Sequence, residues 1–503
     1  MSTPQPRSPR SSVMHRCVTA VAPTPDRRGA LRLATVIVLL SLVLLAGAVP
    51  ASARSTQYAF TITGHGWGHG VGMSQWGAYG YAKHGAKYGA ILKHYYTGIT
   101  LSKVGNVVVR VNLRSGQKAI KLSCPKDYTA QGTGAAWTIP GGTTSTVTYV
   151  GGKYRVVAGS TSRTFAAAPT FRPTAGTLRV LTKTDLGRTG AYRGAIRVIY
   201  RGGLVMVNHV PLESYLRGVV PHEVSPSWPR EAVKAQACAA RAYAIRSRQS
   251  GKDWDVYCDV RDQAYAGVAI EDPRSDLAVR ETAGVCPAYG GEPIVATYFS
   301  CSGGHTESVQ NVWGGSHPYL KGVKDPYDYY GTLHDWGPLR RTPSQIGGPL
   351  GAAGTVRAVY TVERGVSPRI VKAAVIGSGG TRYVDGSSLR TKLGLNSSWA
   401  IFRSMGISPA ARDAVSIVAG SRVTLTGRTY PALSAGATVT LNFFYDGRWR
   451  SRSVPTERKV ESLPDGYKAR YSQYTASVSP KQTTRYYFSS GKAKSPVTTI
   501  TVR

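Results

Sequence analysis

Acidic side chains are scarce in this 503-residue chain, where 26 Asp and Glu stand against 63 Lys and Arg for a formal net charge of +37. So basic a surface draws polyanions without any specific contact. Nucleic acid is not the expected partner, because no basic helix and no aromatic RNA-binding platform is present. Long apolar runs are missing too. The one at residues 33–48 falls short of the about 20 residues that a spanning helix needs. No fixed-period repeat is found, and the six cysteines are few for the length.

What is present favours strands and turns over an all-helical fold. Hydrophobic residues make up 42% of the chain, charged residues 18%, and 57 glycines accompany many Thr, Val and Tyr runs. That is enough apolar material for two or three packed domains.

The N-terminus reads as a signal peptide over residues 1–53. Arg7, Arg10, Arg16, Arg27, Arg28 and Arg32 precede the apolar run, and Ala51-Ser52-Ala53 follows as a small-residue cleavage site. Arg27-Arg28 leaves a twin-arginine route open. The mature protein is thus expected to be secreted, extracellular or in the cell wall. Losing six Arg and one Asp lowers its charge only from +37 to +32, so anionic wall polymers are the expected electrostatic partner. Five cysteines remain. Cys258, Cys286 and Cys301 lie near enough in sequence to supply one disulfide, and Cys238 falls on an Ala-rich helix as a small buried residue.

Glycine takes every second position from 64 to 72, in Gly-His-Gly-Trp-Gly-His-Gly-Val-Gly. An extended chain there puts the glycines on one face and His65, Trp67, His69 and Val71 on the other, so something must approach the bare face closely. No βαβ pattern surrounds it, which excludes a dinucleotide fingerprint. Residues 78–96 read as one or two helices with a Tyr-rich face. Residues 105–210 alternate apolar and polar as strands with glycine turns. A helical stretch follows from Pro211 to Ser247, then an irregular one to Asp325. From about residue 409 short alternating runs predict a separate β-sandwich.

The stretch 210–245 holds three glutamates. Glu213 and Glu231 each follow a proline at a helix start, where a carboxylate satisfies free amides and the helix dipole. Glu223 has no such role. It lies between helices among Val219, Val220, Pro221, Val224, Pro226 and Trp228, where burial would keep its proton on near neutral pH, as a general acid requires. Lys234 and Arg241, seven residues apart on one helix face and about 10 Å apart along the axis, either contact an extended polymer or reach solvent.

The same stretch resembles the core motif of the SpoIID/LytB family, stage II sporulation protein D and amidase enhancer, whose members include lytic transglycosylases of peptidoglycan. Gly68-His-Gly-Val-Gly-Met-Ser-Gln-Trp-Gly-Ala78 with Ile91-Leu-Lys-His-Tyr-Tyr-Thr-Gly98 resembles a second family signature, and Tyr298-Phe-Ser-Cys-Ser-Gly-Gly-His-Thr-Glu307 with Pro318-Tyr-Leu-Lys321 a third. The second signature precedes the core here, whereas the compact members carry it near the C-terminal end.

The resemblance implies a SpoIID-like mixed catalytic domain, placed over 54–408 with its β-rich segment 105–210; with the C-terminal all-β, Ig-like sandwich read from the runs over 409–503, the expected fold class is α+β. It implies Glu223 as the catalytic acid/base, with Lys234, Arg241, Gln75 and Tyr319 as substrate contacts. The substrate implied is the glycan strand of peptidoglycan, cleaved between MurNAc and GlcNAc by lytic transglycosylation. Two other readings stand beside it: a hydrolase using Asp259 or Asp262 as partner carboxylate, and a non-catalytic wall-binding enhancer of a cell-wall amidase. No cofactor is expected. Some relatives carry a zinc site, but Phe299 and Ser302 stand where its His and Cys would fall. The ligand-like pairs Cys301 with His305 and His65 with His69 are weak signals alone, so no metal is expected.

Overall fold

One helix, Arg230–Ser247, organises the fold because both of its sides are apolar. Val233, Ala237, Ala240 and Ala244 face one core, and Ala235, Cys238, Ala239 and Ala242 face another. Alanine serves here twice over: it is the best helix former, and its short side chain lets two cores close on one rod. The computed structural model describes residues 55–409, 415–463 and 466–503. The signal peptide expected at 1–53 lies outside the described residues.

The first core is the β-rich middle of the chain. A seven-stranded sheet runs in the order Val256–Tyr257, Val108–Gln117, Leu204–Pro211, Ala195–Tyr200, Thr170–Pro173, Tyr128–Gln131 and Trp137–Ile139, beside a six-stranded sheet built from strands between Ala119 and Tyr192. Their alternating residues, among them Val109, Val111, Ile120 and Leu122, meet Leu212, Tyr215 and Val220 from the short helices Leu212–Arg217 and Val220–Glu223, and Val219 from the link between them. The second core forms where helices Gln75–Lys83 and Tyr88–Tyr95 lie against the other side of the long helix. The reading of one or two helices over 78–96 corresponds to this pair, the first of which starts three residues earlier, at Gln75.

The glycine-rich segment is not the plain extended chain that its alternation suggests. Only Gln57–His65 is a strand, and beyond it Gly66, Gly68, Gly70 and Gly72 all take positive φ. The close approach is real. A Cβ on Gly72 would sit 2.1 Å from Thr297 O, and one on Gly68 2.8 Å from the Phe299 Cβ. Only glycine meets both demands, and what approaches it is the third signature.

The tail does form antiparallel strands, but not as a domain standing apart. Strand Ala400–Ile407 pairs with Gln57–His65 on one side and with Val423–Tyr430 on the other, so one sheet runs from the N-terminal strand into the tail. The long strand Arg448–Ser462 pairs with Thr438–Tyr445 through its first half and with Lys468–Val478 through its second, passing from one layer to the other. Met405 and Ile407 lie in the core between the layers, and Tyr430, Leu463 and Tyr471 lie in the core beneath Val356–Arg364 and Ile370–Gly377. The sequence change near 409 marks composition, whereas the pairing across it is set by partners far away in the chain.

The expected disulfide is not found either. Cys124, Cys238, Cys258, Cys286 and Cys301 are all free and buried. Cys258 packs in the first core, Cys238 and Cys286 in the second, and the Cys301 thiol donates to Asp328 at 3.1 Å.

A chain ending at residue 408 is therefore expected to lose cooperative folding rather than to yield a stable core domain. Each large apolar side chain lost from a core costs about 1.5–3 kcal/mol, against roughly 5–15 kcal/mol for a whole domain. Thermal melts followed by circular dichroism check this; an unchanged Tm for the shortened chain would contradict the shared sheet.

Candidate functional site

Glu223 ends the short helix Val220–Glu223, which Pro221 opens. Three segments distant in sequence meet its carboxylate. Oε2 accepts from Gln75 Nε2 at 3.4 Å, Oε1 accepts from the Ala264 N–H at 3.3 Å, and the Tyr298 hydroxyl forms a third hydrogen bond. Burial is the largest influence and lifts the Glu223 pKa above the ordinary carboxylate value, while those three hydrogen bonds pull it down without prevailing. The residue as a whole is half-buried.

Each neighbour is fixed in turn. The Gln263 amide donates to Tyr298 Oη at 2.9 Å and to Ala240 O at 3.3 Å, which leaves the phenolic proton for Glu223. Strand Tyr298–Phe299 pairs in parallel with Met73–Ser74, so the second and third signatures are joined directly beside Gln75. Burial lowers the His69 pKa to about 3. Its ring is thus neutral, accepts from Val71 N at 3.1 Å on Nδ1, and donates from Nε2 to Tyr298 O at 3.1 Å. Ser74 caps the helix that begins at Gln75, taking Gly77 N at 3.1 Å and giving its own proton to Asp328 Oδ1 at 2.8 Å.

The segments around Glu223 and Gln75 also carry a strip of half-buried rings. Trp76 meets Trp228 with centroids 4.7 Å apart, Tyr79 meets Trp228 at 5.2 Å and Tyr330 at 5.4 Å, and Tyr330 stacks on the exposed Tyr329 at 4.6 Å. Trp76 follows Gln75, and Trp228 lies in the loop after Glu223, so the segments that carry Glu223 and its partner also carry the first rings of the strip. Ring faces of this kind suit the C–H faces of sugars, since an aromatic face is electron-rich.

Of the expected contacts, the structure brings Gln75 to Glu223 and places Lys234, Arg241 and Tyr319 in other roles. Arg241 is wholly buried and grips Glu213 with both arms, Nε to Oε1 at 2.9 Å and Nη2 to Oε2 at 2.7 Å, while Nη1 donates to Val285 O at 2.7 Å. A fully enclosed guanidinium is no surface for a polymer. Lys234 is held between Glu231 at 3.1 Å and Glu281 at 2.9 Å. Tyr319 packs into the second core, its hydroxyl accepting from Val295 N at 3.3 Å. Neither glutamate caps its own helix as expected. Glu213 serves Arg241, and Glu231 receives the Tyr88 N–H at 2.9 Å, capping the neighbouring helix whose own N-cap, Lys87, makes no side-chain bond.

The two aspartates offered as partner acids are engaged elsewhere. Asp259 is clamped by Arg261 at 2.7 and 2.8 Å, which holds its pKa below the ordinary value. Asp262 accepts from the Tyr243 hydroxyl at 2.9 Å and the Tyr257 N–H at 2.8 Å.

As to metals, neither weak pair assembles. Both His69 nitrogens are hydrogen-bonded, and His305 turns its Nδ1 to Thr306 O. Among the described residues, Cys301, Asp328 and His334 bring potential ligand atoms within 4.8 Å of one another. Their carboxylate is already saturated, however, by Ser74 Oγ, the N–H groups of Ser302 and Gly303, the Cys301 thiol and His334 Nδ1. Asp328 thus joins the second and third signatures.

Removing the Arg241 guanidinium leaves Glu213 without its cation, so Arg241→Ala is expected to destabilise the fold by about 3–5 kcal/mol. Denaturant unfolding measures this. A variant with wild-type stability but weakened substrate binding would restore Arg241 as a contact.

Comparisons with known proteins bear on the same region of the chain. Residues 200–289 match the SpoIID family model, described as Stage II sporulation protein. An uncharacterized protein of Brachyspira hyodysenteriae is 42% identical over 137 residues, 26% of this chain and 37% of that one. Stage II sporulation protein D of Bacillus subtilis is 30% identical over 216 residues, 40% of this chain and 62% of that one. The amidase enhancer of Bacillus subtilis is 39% identical over 114 residues, 22% of this chain and 15% of that one. The chain thus spans less than two thirds of each of these relatives. No solved structure matches it significantly. The matched stretch contains Glu223, Arg241 and Gln263, with Gln75 and Tyr298 supplied from outside it, and it marks residues 200–289 as a SpoIID-type domain similar to those of sporulation protein D and the amidase enhancer.

Proposed function

We propose that the protein is a secreted lytic transglycosylase that cleaves peptidoglycan glycan strands between MurNAc and GlcNAc, with Glu223 as its one acid and base. The observation that carries this reading is a single half-buried glutamate, lifted in pKa by burial, on elements that also carry a strip of sugar-compatible rings. Glycosidases that hydrolyse use two carboxylates flanking the bond. Here Asp259 and Asp262 are tied to other groups, which favours a one-acid route.

That route balances without water. The Glu223 carboxylic acid gives its proton to the glycosidic oxygen as the C1–O bond breaks, and the GlcNAc half leaves as an alcohol. The resulting Glu223 carboxylate takes the proton of the muramyl 6-hydroxyl, whose oxygen closes on C1 to form the 1,6-anhydro ring. The acetamido group of that sugar stabilises the charge that develops at C1. Gln75, Ala264 N–H and Tyr298 hold the carboxylate in one orientation through both proton transfers.

Glu223→Gln is expected to lower release of anhydromuramyl products by about 10²–10⁴-fold, the usual worth of a general acid. Mass spectrometry of digested glycan reads this, and undiminished product would refute the assignment. The raised pKa sets the sign of two pH effects. Cleavage needs the protonated acid, so the rate falls as pH rises through the Glu223 pKa, a fall displaced upward from that of an ordinary glutamate. In the fold, a raised pKa contributes stability below the unfolded value that is lost as pH rises, so the Gln variant at neutral pH should melt no lower than wild type.

A second reading rests on the relative named amidase enhancer: the chain binds wall glycan and stimulates a cell-wall amidase. It predicts that Glu223→Gln leaves amidase stimulation intact and that the wild type yields no anhydro products.

A further inference from the structure

The tail carries a second surface. Across three adjacent strands, Trp449 lies directly opposite Phe444, and Phe444 directly opposite Arg485. One step along the same face, Ser451 lies opposite Asn442, and Asn442 opposite Tyr487. The reverse face of these strands turns Leu441, Tyr486 and Phe488 into the core, so the row of Trp449, Phe444, Arg485 and Tyr487 looks outward. Trp449 is 43% exposed. Its ring is 5.4 Å from that of Phe444 and 4.9 Å from that of Tyr487.

The cations on this face are held over the rings. The Arg485 guanidinium carbon is 4.4 Å from the Phe444 centroid and 5.7 Å from that of Trp449, and Lys494 Nζ is 5.4 Å from that of Tyr487. A guanidinium resting on a ring keeps its N–H edges outward, in the plane that suits carboxylate or phosphate. Acids do not neutralise it. Among the described residues the ion pairs involving the tail are Arg357 with Glu461 and Lys459 with Glu457, both elsewhere. From residue 412 onward fifteen Lys and Arg face five Asp and Glu.

We propose that this face binds an anionic polysaccharide, with a sugar ring lying on Trp449 while Arg485 and Lys494 take its acidic groups. The site is separate from Glu223 and does not depend on any cleavage there. Charge alone would serve any polyanion. The exposed indole set among cations is what favours a polymer with both sugar faces and negative charge.

Because the tail shares its sheet with the N-terminal strand, the test uses point variants of the whole chain. Oligogalacturonate supplies sugar and charge, chitin oligosaccharides sugar without charge, and polyphosphate and duplex DNA charge without an exposed sugar face. The wild type is expected to bind oligogalacturonate most tightly, with affinity falling as salt rises. Trp449→Ala should weaken that binding about tenfold and leave polyphosphate binding unchanged, whereas Arg485→Gln should weaken both. Equal affinity for oligogalacturonate, polyphosphate and DNA in the wild type would overturn the proposal in favour of a general polyanion surface. So would a Trp449→Ala variant with a lowered Tm and wild-type affinity, since the rings would then be cross-strand packing. Arg485→Gln gives a second, exposed readout, and unaltered oligogalacturonate binding there also overturns it.

Discussion

A buried charge sits at the centre of the architecture. Arg241 is enclosed on a helix whose other inward residues are mostly alanine, and an enclosed guanidinium is tolerable only when its donors are met. Glu213 meets two of them and Val285 O a third. That one cation therefore ties helix Leu212–Arg217, helix Arg230–Ser247 and strand Val285–Tyr289 to one another. Between the first two helices runs the turn that carries Glu223, so the place of the acid is inherited from the ion pair behind it.

Much of this was legible in the sequence. Glu223 stood out once its two neighbours had helix-start positions, and the alanine-rich helix after Pro229 was plain from composition. Gln75 was reachable only through the resemblance, because nothing local says that a residue 148 positions away will touch Glu223. The same limit explains the misreadings. A seven-residue spacing puts Lys234 and Arg241 on one face, but it does not tell whether that face meets solvent or a second core. Tyr298 and Gln263 carried no signal of their own, since their roles arise from tertiary hydrogen bonds. The helix Pro273–Glu281, opened by the Asp272 cap, lay unnoticed in a stretch that reads as irregular.

The reversed order of the signatures has a simple physical resolution. Strand Met73–Ser74 needs only the edge of Tyr298–Phe299 beside it, and Asp328 then joins Ser74 to the Ser302 and Gly303 amides. A segment that docks through a short parallel pairing and one saturated carboxylate can enter from either end of the chain, provided that its glycines admit the close approach at Thr297 and Phe299. The long strand–strand pairing of Gln57–His65 with Ala400–Ile407 anchors that entry from the far side. The strand just ahead of the tail is thus part of what holds the second signature in place.

The electrostatics of the site follow from the same pairings. In so basic a protein, a glutamate near unpaired Lys or Arg would be held ionised, because an opposite charge within a few ångströms favours the carboxylate. The cations of the core motif are spent instead on other acids, Arg241 on Glu213 and Lys234 on Glu231 and Glu281. What acts on Glu223 is burial, opposed only by neutral hydrogen-bond donors from Ala264, Gln75 and Tyr298. Arg241 and Lys234 thus bear on Glu223 without touching it: their ion pairs hold the helix beside it and engage cations that would otherwise favour its ionised form.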